Sequence, residues 1–275
     1  MSLDPVTLTR NQRTQPDRIL QPAIALEISG YVVFLIISEM VSDLWQPLLG
    51  NWLHVILMAV LIWRGTHLIQ RPEGRLFLSM AVLPLVRIVS FAVSPTFFPG
   101  VWFYSVSEVL ILMGGIATAF VLRVSVADLG LRLPRLTWVT PLVLLSGFAA
   151  GWAESHIISP QPVVNTLSWS AVWLPSLMLI VTTGFVEEFV FRGLLQSVSA
   201  KVLGPTLSIV FTAVVWSVLH TGWLSFGDVI FVLVVGLLWS WMRTVERSIW
   251  TLTLAHGIAN VMLFVIIPNW PGKFL

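Results

Sequence analysis

Residues 101–122 read VWFYSVSEVLILMGGIATAFVL. One ionisable residue, Glu108, interrupts a run that is otherwise apolar or small, and its length matches the roughly 20 residues an α-helix needs to cross a bilayer. A transmembrane barrel strand would instead alternate polar and apolar residues over segments of about ten. Comparable runs recur at about 23–44, 48–69, 76–94, 137–158, 168–196, 205–221, 226–243 and 249–268. Those at 48–69 and 249–268 are open to a re-entrant or tilted reading. The expected fold is all-α: a polytopic integral membrane helix bundle with eight or nine transmembrane helices.

Composition points the same way. Of 275 residues, 57% are hydrophobic and 10% charged, with a mean hydropathy of +0.91. A soluble domain carries roughly 25% charged residues, so this chain has too few to clothe a water-soluble globule. Disorder is excluded for want of polar sequence. A net charge of +2 makes no basic footprint, so no nucleic-acid partner is expected. The absence of Cys removes disulfides, thiolate metal sites and a Cys nucleophile. Residues 1–21 are polar, contain Pro5 and Pro16, and lack an apolar core, which reads as a tail and not as a cleavable signal peptide. The remainder, 22–275, reads as a single transmembrane domain.

The basic residues suggest an orientation. Arg10, Arg13 and Arg18 precede the first span. Arg64, Arg71 and Arg75 fall between the second and third, and Arg123, Arg132 and Arg135 between the fourth and fifth. Arg192 and Lys201 follow the sixth, and Arg243 and Arg247 the eighth. Only Arg87, inside a span, and Lys273 depart from this alternation. The positive-inside rule then puts the N-terminus in the cytoplasm. The stretch Asp128–Arg135 reads either as an amphipathic segment at that interface or as a plain connecting loop. Several of the 14 Trp lie near span ends, as an interfacial belt requires.

Ionisable residues inside spans cost roughly 2.5–3.5 kcal/mol each on insertion scales and need a reason to be there. Glu27 is near enough to a span end to reach the interface. Arg87 has Glu39 or Glu108 as candidate partners across helices. His54 and His67 read as interfacial, and Glu154 and His156 as solvated near an outer loop. One cluster differs. In Thr183-Gly-Phe-Val-Glu187-Glu188-Phe-Val-Phe-Arg192-Gly193, Glu188 and Arg192 stand at i, i+4 in the favourable order. Their pairing leaves Glu187 unpaired, facing another direction at about 3.6 residues per turn. Trp216 and His220 share one face of a later helix, and His256 and Asn260 one face of the last. A base, a second proton-handling group and two hydrogen-bond donors are what amide hydrolysis by an activated water needs. The assembly has a geometric condition. His220 and His256 must lie within about two helical turns of Glu187 in depth, roughly 11 Å. That requires the helix carrying Glu187 to run on to about residue 200.

Glu-Glu-x-x-x-Arg, aromatic-x-x-x-His and His-x-x-x-Asn, in this order on separate membrane helices, resemble the CAAX protease and bacteriocin-processing family. These are the type II CAAX prenyl endopeptidases and their prokaryotic relatives, the CPBP intramembrane metalloproteases. The resemblance covers about residues 182–262, and Trp216 stands where the family usually has Phe. It implies that Glu187 is the general base on water, that His220 positions that water, and that His256 and Asn260 hold the oxyanion. Glu188, Arg192 and Trp216 become supporting residues, within a catalytic core at about 168–268. The implied activity is an intramembrane endopeptidase acting on a membrane-associated protein or peptide within the lipid bilayer. Zinc is a possible cofactor, with Glu187, His220 and His256 as candidate ligands by type. The absence of a His-Glu-x-x-His helix removes independent support for it and favours direct activation of water by Glu187.

Two other functions fit buried Glu and His. A proton-coupled transporter would use them as a relay, but the broken repeated helices of transporters are not visible. A non-catalytic membrane interaction or immunity protein would need no intact Glu187, His220, His256 and Asn260 set. No organelle-targeting signal is evident, and a prokaryotic plasma membrane is the expected location.

Overall fold

The computed structural model describes residues 21–134 and 136–270. The expectations for the polar tail, Arg135 and Lys273 fall outside them. Every regular element among the described residues is helical. Three early helices start at a proline, which lacks the N–H that a first turn leaves unpaired anyway: α1 (Pro22–Leu44), α2 (Pro47–His67) and α3 (Pro72–Met80). A short break at Ala81 leads from α3 into α4 (Val82–Ala92), and α5 (Val101–Val121) and α6 (Val139–Ile158) follow.

The next run is long and irregular. It begins as α7 (Trp169–Met178), widens into a π-helical turn at Leu179–Gly184, and returns briefly to α8 (Phe185–Glu187). It widens again at Glu188–Leu195 and continues as α9 (Gln196–Val218). Gly204 breaks α9 with φ 79° and ψ 168°, values that suit glycine because it has no Cβ, and Pro205 restarts the helix. The chain ends in α10 (Phe226–Glu246) and α11 (Trp250–Val261), the latter followed by a third π-helical turn at Met262–Ile266.

Among the described residues, seven helical runs are long and apolar enough to cross a membrane. The run Trp169–Trp223 has 55 residues, far beyond the roughly 20 of one crossing, and Gly204 divides it in two. The helix α6, which carries Glu154 and His156 near its end, is long enough but falls outside the seven. The bundle is thus a polytopic all-α membrane fold. Its outward faces carry large exposed apolar side chains, such as Phe120 at 84% and Met113 at 62%, where a soluble protein would place charge. Trp45, Trp138 and Trp169 stand exposed at helix ends, as an interfacial belt predicts.

Two close crossings bring α11 into the middle of the bundle. Gly147 and Gly151 of α6 lie against the backbone of Ala255 and Ala259; a Cβ on either would fall 2.2 or 2.3 Å from a carbonyl oxygen. On the other side, a Cβ on Gly257 would fall 2.6 Å from Ile180, and one on Gly184 would lie 2.9 Å from the Thr253 carbonyl. Small residues let membrane helices approach to backbone contact. Here they set His256 and Asn260 beside the helix of Glu187.

Of the two candidate partners of Arg87, Glu39 is the one it pairs with, and Asp43 joins at 3.2 Å. Other expectations change. His54 is not interfacial: it is fully buried, with Nε2 3.4 Å from Glu39, because α2 starts at Pro47 and lays this turn against α1. Arg192 pairs within its helix as expected and is buried there, so it drops out of the loop charges that suggest the orientation. Of the stretch 128–135, the described part is an ordered loop. The Gly130 carbonyl accepts from Ile249 N–H (2.9 Å), and the Asp128 carbonyl from Arg243 (2.9 Å).

Candidate functional site

A cavity of about 690 Å³ opens inside the bundle. Glu187, Trp216, His220, His256 and Asn260 all contribute to its wall. The depth condition is therefore met. The helix carrying Glu187 runs to the break at Gly204, and the segment after Pro205 returns with Trp216 against Glu187.

Glu187 is not unpaired as its sequence context suggested. The Trp216 indole N–H donates to its Oε2 at 2.7 Å. His256 Nε2 also lies near that oxygen, at 3.8 Å, too far for a direct hydrogen bond. The Glu187 side chain keeps 18% exposure, all that a group buried in a bundle needs to face a cavity.

Glu188 points away from the cavity and is fully buried. Its Oε1 accepts from Arg192 Nη1 at 3.0 Å, as the i, i+4 spacing predicts, and also meets His256 Nδ1 at 3.0 Å. An ionised carboxylate can only accept, so Nδ1 carries the proton and Nε2 faces Glu187. His220 is held in the same sense, its Nδ1 donating to the Trp216 carbonyl at 2.9 Å. Thr221, the next residue, donates to Asp43 at 2.8 Å and ties this turn to α1. Asn260 is nearly buried, and its Nδ2 has no partner among the described residues.

Arg192 has a second restraint, because its guanidinium carbon lies 4.1 Å from the Trp216 ring centroid. Trp239, with 1% exposure, packs beside them, 5.1 Å from the His256 ring and 5.9 Å from that of Trp216. No sequence signal singled out Trp239. Glu108 of α5 and Glu154 of α6 also line the cavity. The expectation that Glu154 is solvated at an outer loop is corrected: Glu154 faces the cavity, while Trp152, His156 and Ile157 on the same turns of α6 stay exposed.

These contacts divide the two glutamates. Glu188→Ala should strip Arg192 and His256 of a shared partner, and breaking a buried pair costs about 3–5 kcal/mol. Glu187→Gln should leave both intact. The expected result is a clearly lower melting temperature for Glu188→Ala in detergent; equal melting temperatures would count against the division.

Zinc was a candidate at Glu187, His220 and His256. Among the described residues, no group of three or more His, Cys, Asp and Glu side chains comes together in a way that could hold a metal ion. The residues as arranged do not fit a zinc site.

The fold and the cavity together define a class: a polytopic membrane bundle with a carboxylate, two imidazoles and a carboxamide gathered inside it. Within that class, residues 168–262 match the family described as Type II CAAX prenyl endopeptidase Rce1-like. The match runs from α7 into α11 and contains every residue of the three motifs, while the helices before it lie outside. It supports the CAAX protease family, and with it a CAAX-type intramembrane protease in general. No curated protein and no solved structure matches the chain.

Proposed function

We propose that this protein is an intramembrane endopeptidase that hydrolyses a peptide bond of a membrane-associated protein or peptide, using water activated by Glu187. The observation that carries the reading is the convergence of three motifs from separate helices on one cavity, with Glu187 Oε2 2.7 Å from the Trp216 indole nitrogen and 3.8 Å from His256 Nε2. Glu187 takes the proton from water and passes it to the leaving amine. His220, its Nδ1 fixed on a carbonyl, offers Nε2 to hold that water. Asn260 donates its free Nδ2 to the oxyanion. His256 Nε2 joins it when the ring carries both protons, a charge that Glu188 balances from the far nitrogen. Among the readings of a buried Glu and His set, hydrolysis makes use of the unpartnered carboxamide, whereas a proton relay has no need of it. We further infer an N-terminus in the cytoplasm, on the alternation of basic loops, and take a prokaryotic plasma membrane as the setting.

The test is purified protein in lipid nanodiscs with a set of membrane-embedded peptides, new termini being read by mass spectrometry. Discrete cleavage that survives dialysis against 1,10-phenanthroline is expected. Loss restored by added zinc would overturn the direct mechanism, and no cleavage of any peptide would count against the peptidase reading.

Trp216 offers a finer test, since Phe in its place would keep the ring and remove the N–H. Trp216→Phe should lower kcat by roughly 10- to 100-fold, the scale of a base held about 1 Å out of place. Benzothienylalanine at 216 keeps the indole shape with sulfur for N–H and should cost as much. Full activity of that analogue would reduce the role of Trp216 to packing.

A further inference from the structure

His220 stands just past the end of a helix. The α9 helix stops at Val218, and His220 itself has φ −91° and ψ 1°, in the sparsely populated bridge region. A short 3₁₀ turn, Thr221–Trp223, follows, and Leu224 then enters the left-handed region with φ 54°. Helix ends fray unless something ties them down. The bond from His220 Nδ1 to the Trp216 carbonyl spans this last turn, so it lasts only while the turn does.

The tie comes from the other half of the chain. The Thr221 hydroxyl oxygen lies 2.8 Å from Asp43 Oδ2 and 3.0 Å from the Val218 carbonyl. It carries one proton, and an oxygen 2.8 Å from a carboxylate needs that proton between them. Asp43 is held in turn by Arg87 at 3.2 Å, and Arg87 also pairs with Glu39. The same guanidinium lies against the next residue of the turn: a Cβ on Gly222 would fall 3.4 Å from Arg87 Nη1. Two carboxylates at i, i+4 on one helix repel, yet Asp43 follows Glu39 at that spacing. Glu39 alone would neutralise Arg87, so the ion pair gives no reason for Asp43. The side chain of Asp43 is 9% exposed, and the one hydrogen bond it makes besides Arg87, among the described residues, is with Thr221.

We propose that Asp43, braced by Arg87, is a positioning residue for His220: through the Thr221 hydroxyl it fixes the turn that sets the imidazole in the cavity wall. This rests on the peptidase reading, in which His220 holds the attacking water. It adds to that reading a part of the machinery on α1 and α4, outside the matched segment 168–262. A plain structural tie between α1 and the end of α9 would change stability alone. A positioning tie changes turnover and the state of the imidazole. A substrate-binding role for Asp43, which also lines the cavity, would change KM.

The experiment uses the full-length protein in lipid nanodiscs and the best-cleaved of the membrane-embedded peptides described above. Thr221→Val replaces the hydroxyl by a methyl of the same shape. It should lower kcat by roughly 10- to 100-fold, the scale of a catalytic group displaced by about 1 Å, with little change in KM. Thr221→Ser keeps the proton and should stay within a few-fold of wild type. Asp43→Ala should match Thr221→Val, and the double variant should be no slower than the slower single one, because both remove the same link. If Asp43→Ala does not fold, Thr221→Val carries the test. The readout that a structural tie would not move is the His220 ring itself. Magic-angle-spinning NMR of protein with isotope-labelled histidine, at alkaline pH, should show the His220 proton on Nδ1 in wild type and in Thr221→Ser. Thr221→Val should show a mixture with the Nε2-protonated tautomer, and His220→Gln assigns the signal. A His220 signal unchanged in Thr221→Val would overturn the proposal, as would full activity of that variant or a loss confined to KM. If wild type cuts no peptide, the peptidase reading falls, and the mixed tautomer in Thr221→Val still sustains the tie to Asp43.

Discussion

Glu187→Gln is expected to leave a folded protein that no longer cleaves peptide. The fold survives because Gln keeps the shape of Glu and offers a carbonyl oxygen to the Trp216 N–H, which now approaches Glu187 Oε2 at 2.7 Å. Its amide can also donate towards His256 Nε2, 3.8 Å from that oxygen. The buried group of Glu188, Arg192 and His256 is untouched, since Glu187 is not a member of it. The chemistry does not survive, because a carboxamide cannot take a proton from water. General-base catalysis contributes roughly 10²–10⁴ in rate, and the proton taken is also the one the leaving amine needs, so a loss at or beyond the upper end is expected in kcat. Substrate affinity should change little. Turnover within a few-fold of wild type, in a variant that melts normally, would end the assignment of Glu187 as base.

Much of this site was legible as spacing. Glu188 and Arg192 at i, i+4 pair as expected, even though the turn between them is π-helical. Trp216 with His220 and His256 with Asn260 share faces for the same reason. The Gly204-Pro205 dipeptide marks the break that lets one long run make two crossings. Other features had no one-dimensional signal. The π-helical turns at Leu179–Gly184 and Glu188–Leu195 are invisible in an apolar run, where any helical period buries something acceptable. They are of a kind that often marks functional sites. Glu108, Glu154 and Trp239 reach the cavity from α5, α6 and α10, and none belongs to a motif. Depth is the least legible feature. Nearness to span ends makes His54 read as interfacial and Glu154 as solvated, but helix ends inside a bundle can face one another. His54 meets Glu39 there, and Glu154 meets the cavity.

Asn260→Ala is expected to lower kcat by roughly 10²–10³, the usual loss when one oxyanion donor is removed, with little change in KM. The prediction follows from what Asn260 lacks. Its Nδ2 has no hydrogen-bond partner among the described residues, although the residue is nearly buried and contributes to the cavity wall. A buried donor left in this state is destabilising at rest and gains by meeting an acceptor. Asn has no accessible proton-accepting chemistry, so donation to developing negative charge is the role open to it. His256, one turn away on α11, has Nδ1 committed to Glu188 and can donate from Nε2 only with a second proton on the ring. Asn260 donates in every protonation state of the site, and it should therefore carry the larger share of oxyanion stabilisation. Asn260→Asp is a useful control: it keeps the shape but sets a carboxylate against the oxyanion, and should be slower than Asn260→Ala. A rise in KM with kcat unchanged would make Asn260 a substrate-binding residue. No change in either would reduce His256 and Asn260 to helix packing, and with them would go the strongest reason for reading this cavity as catalytic.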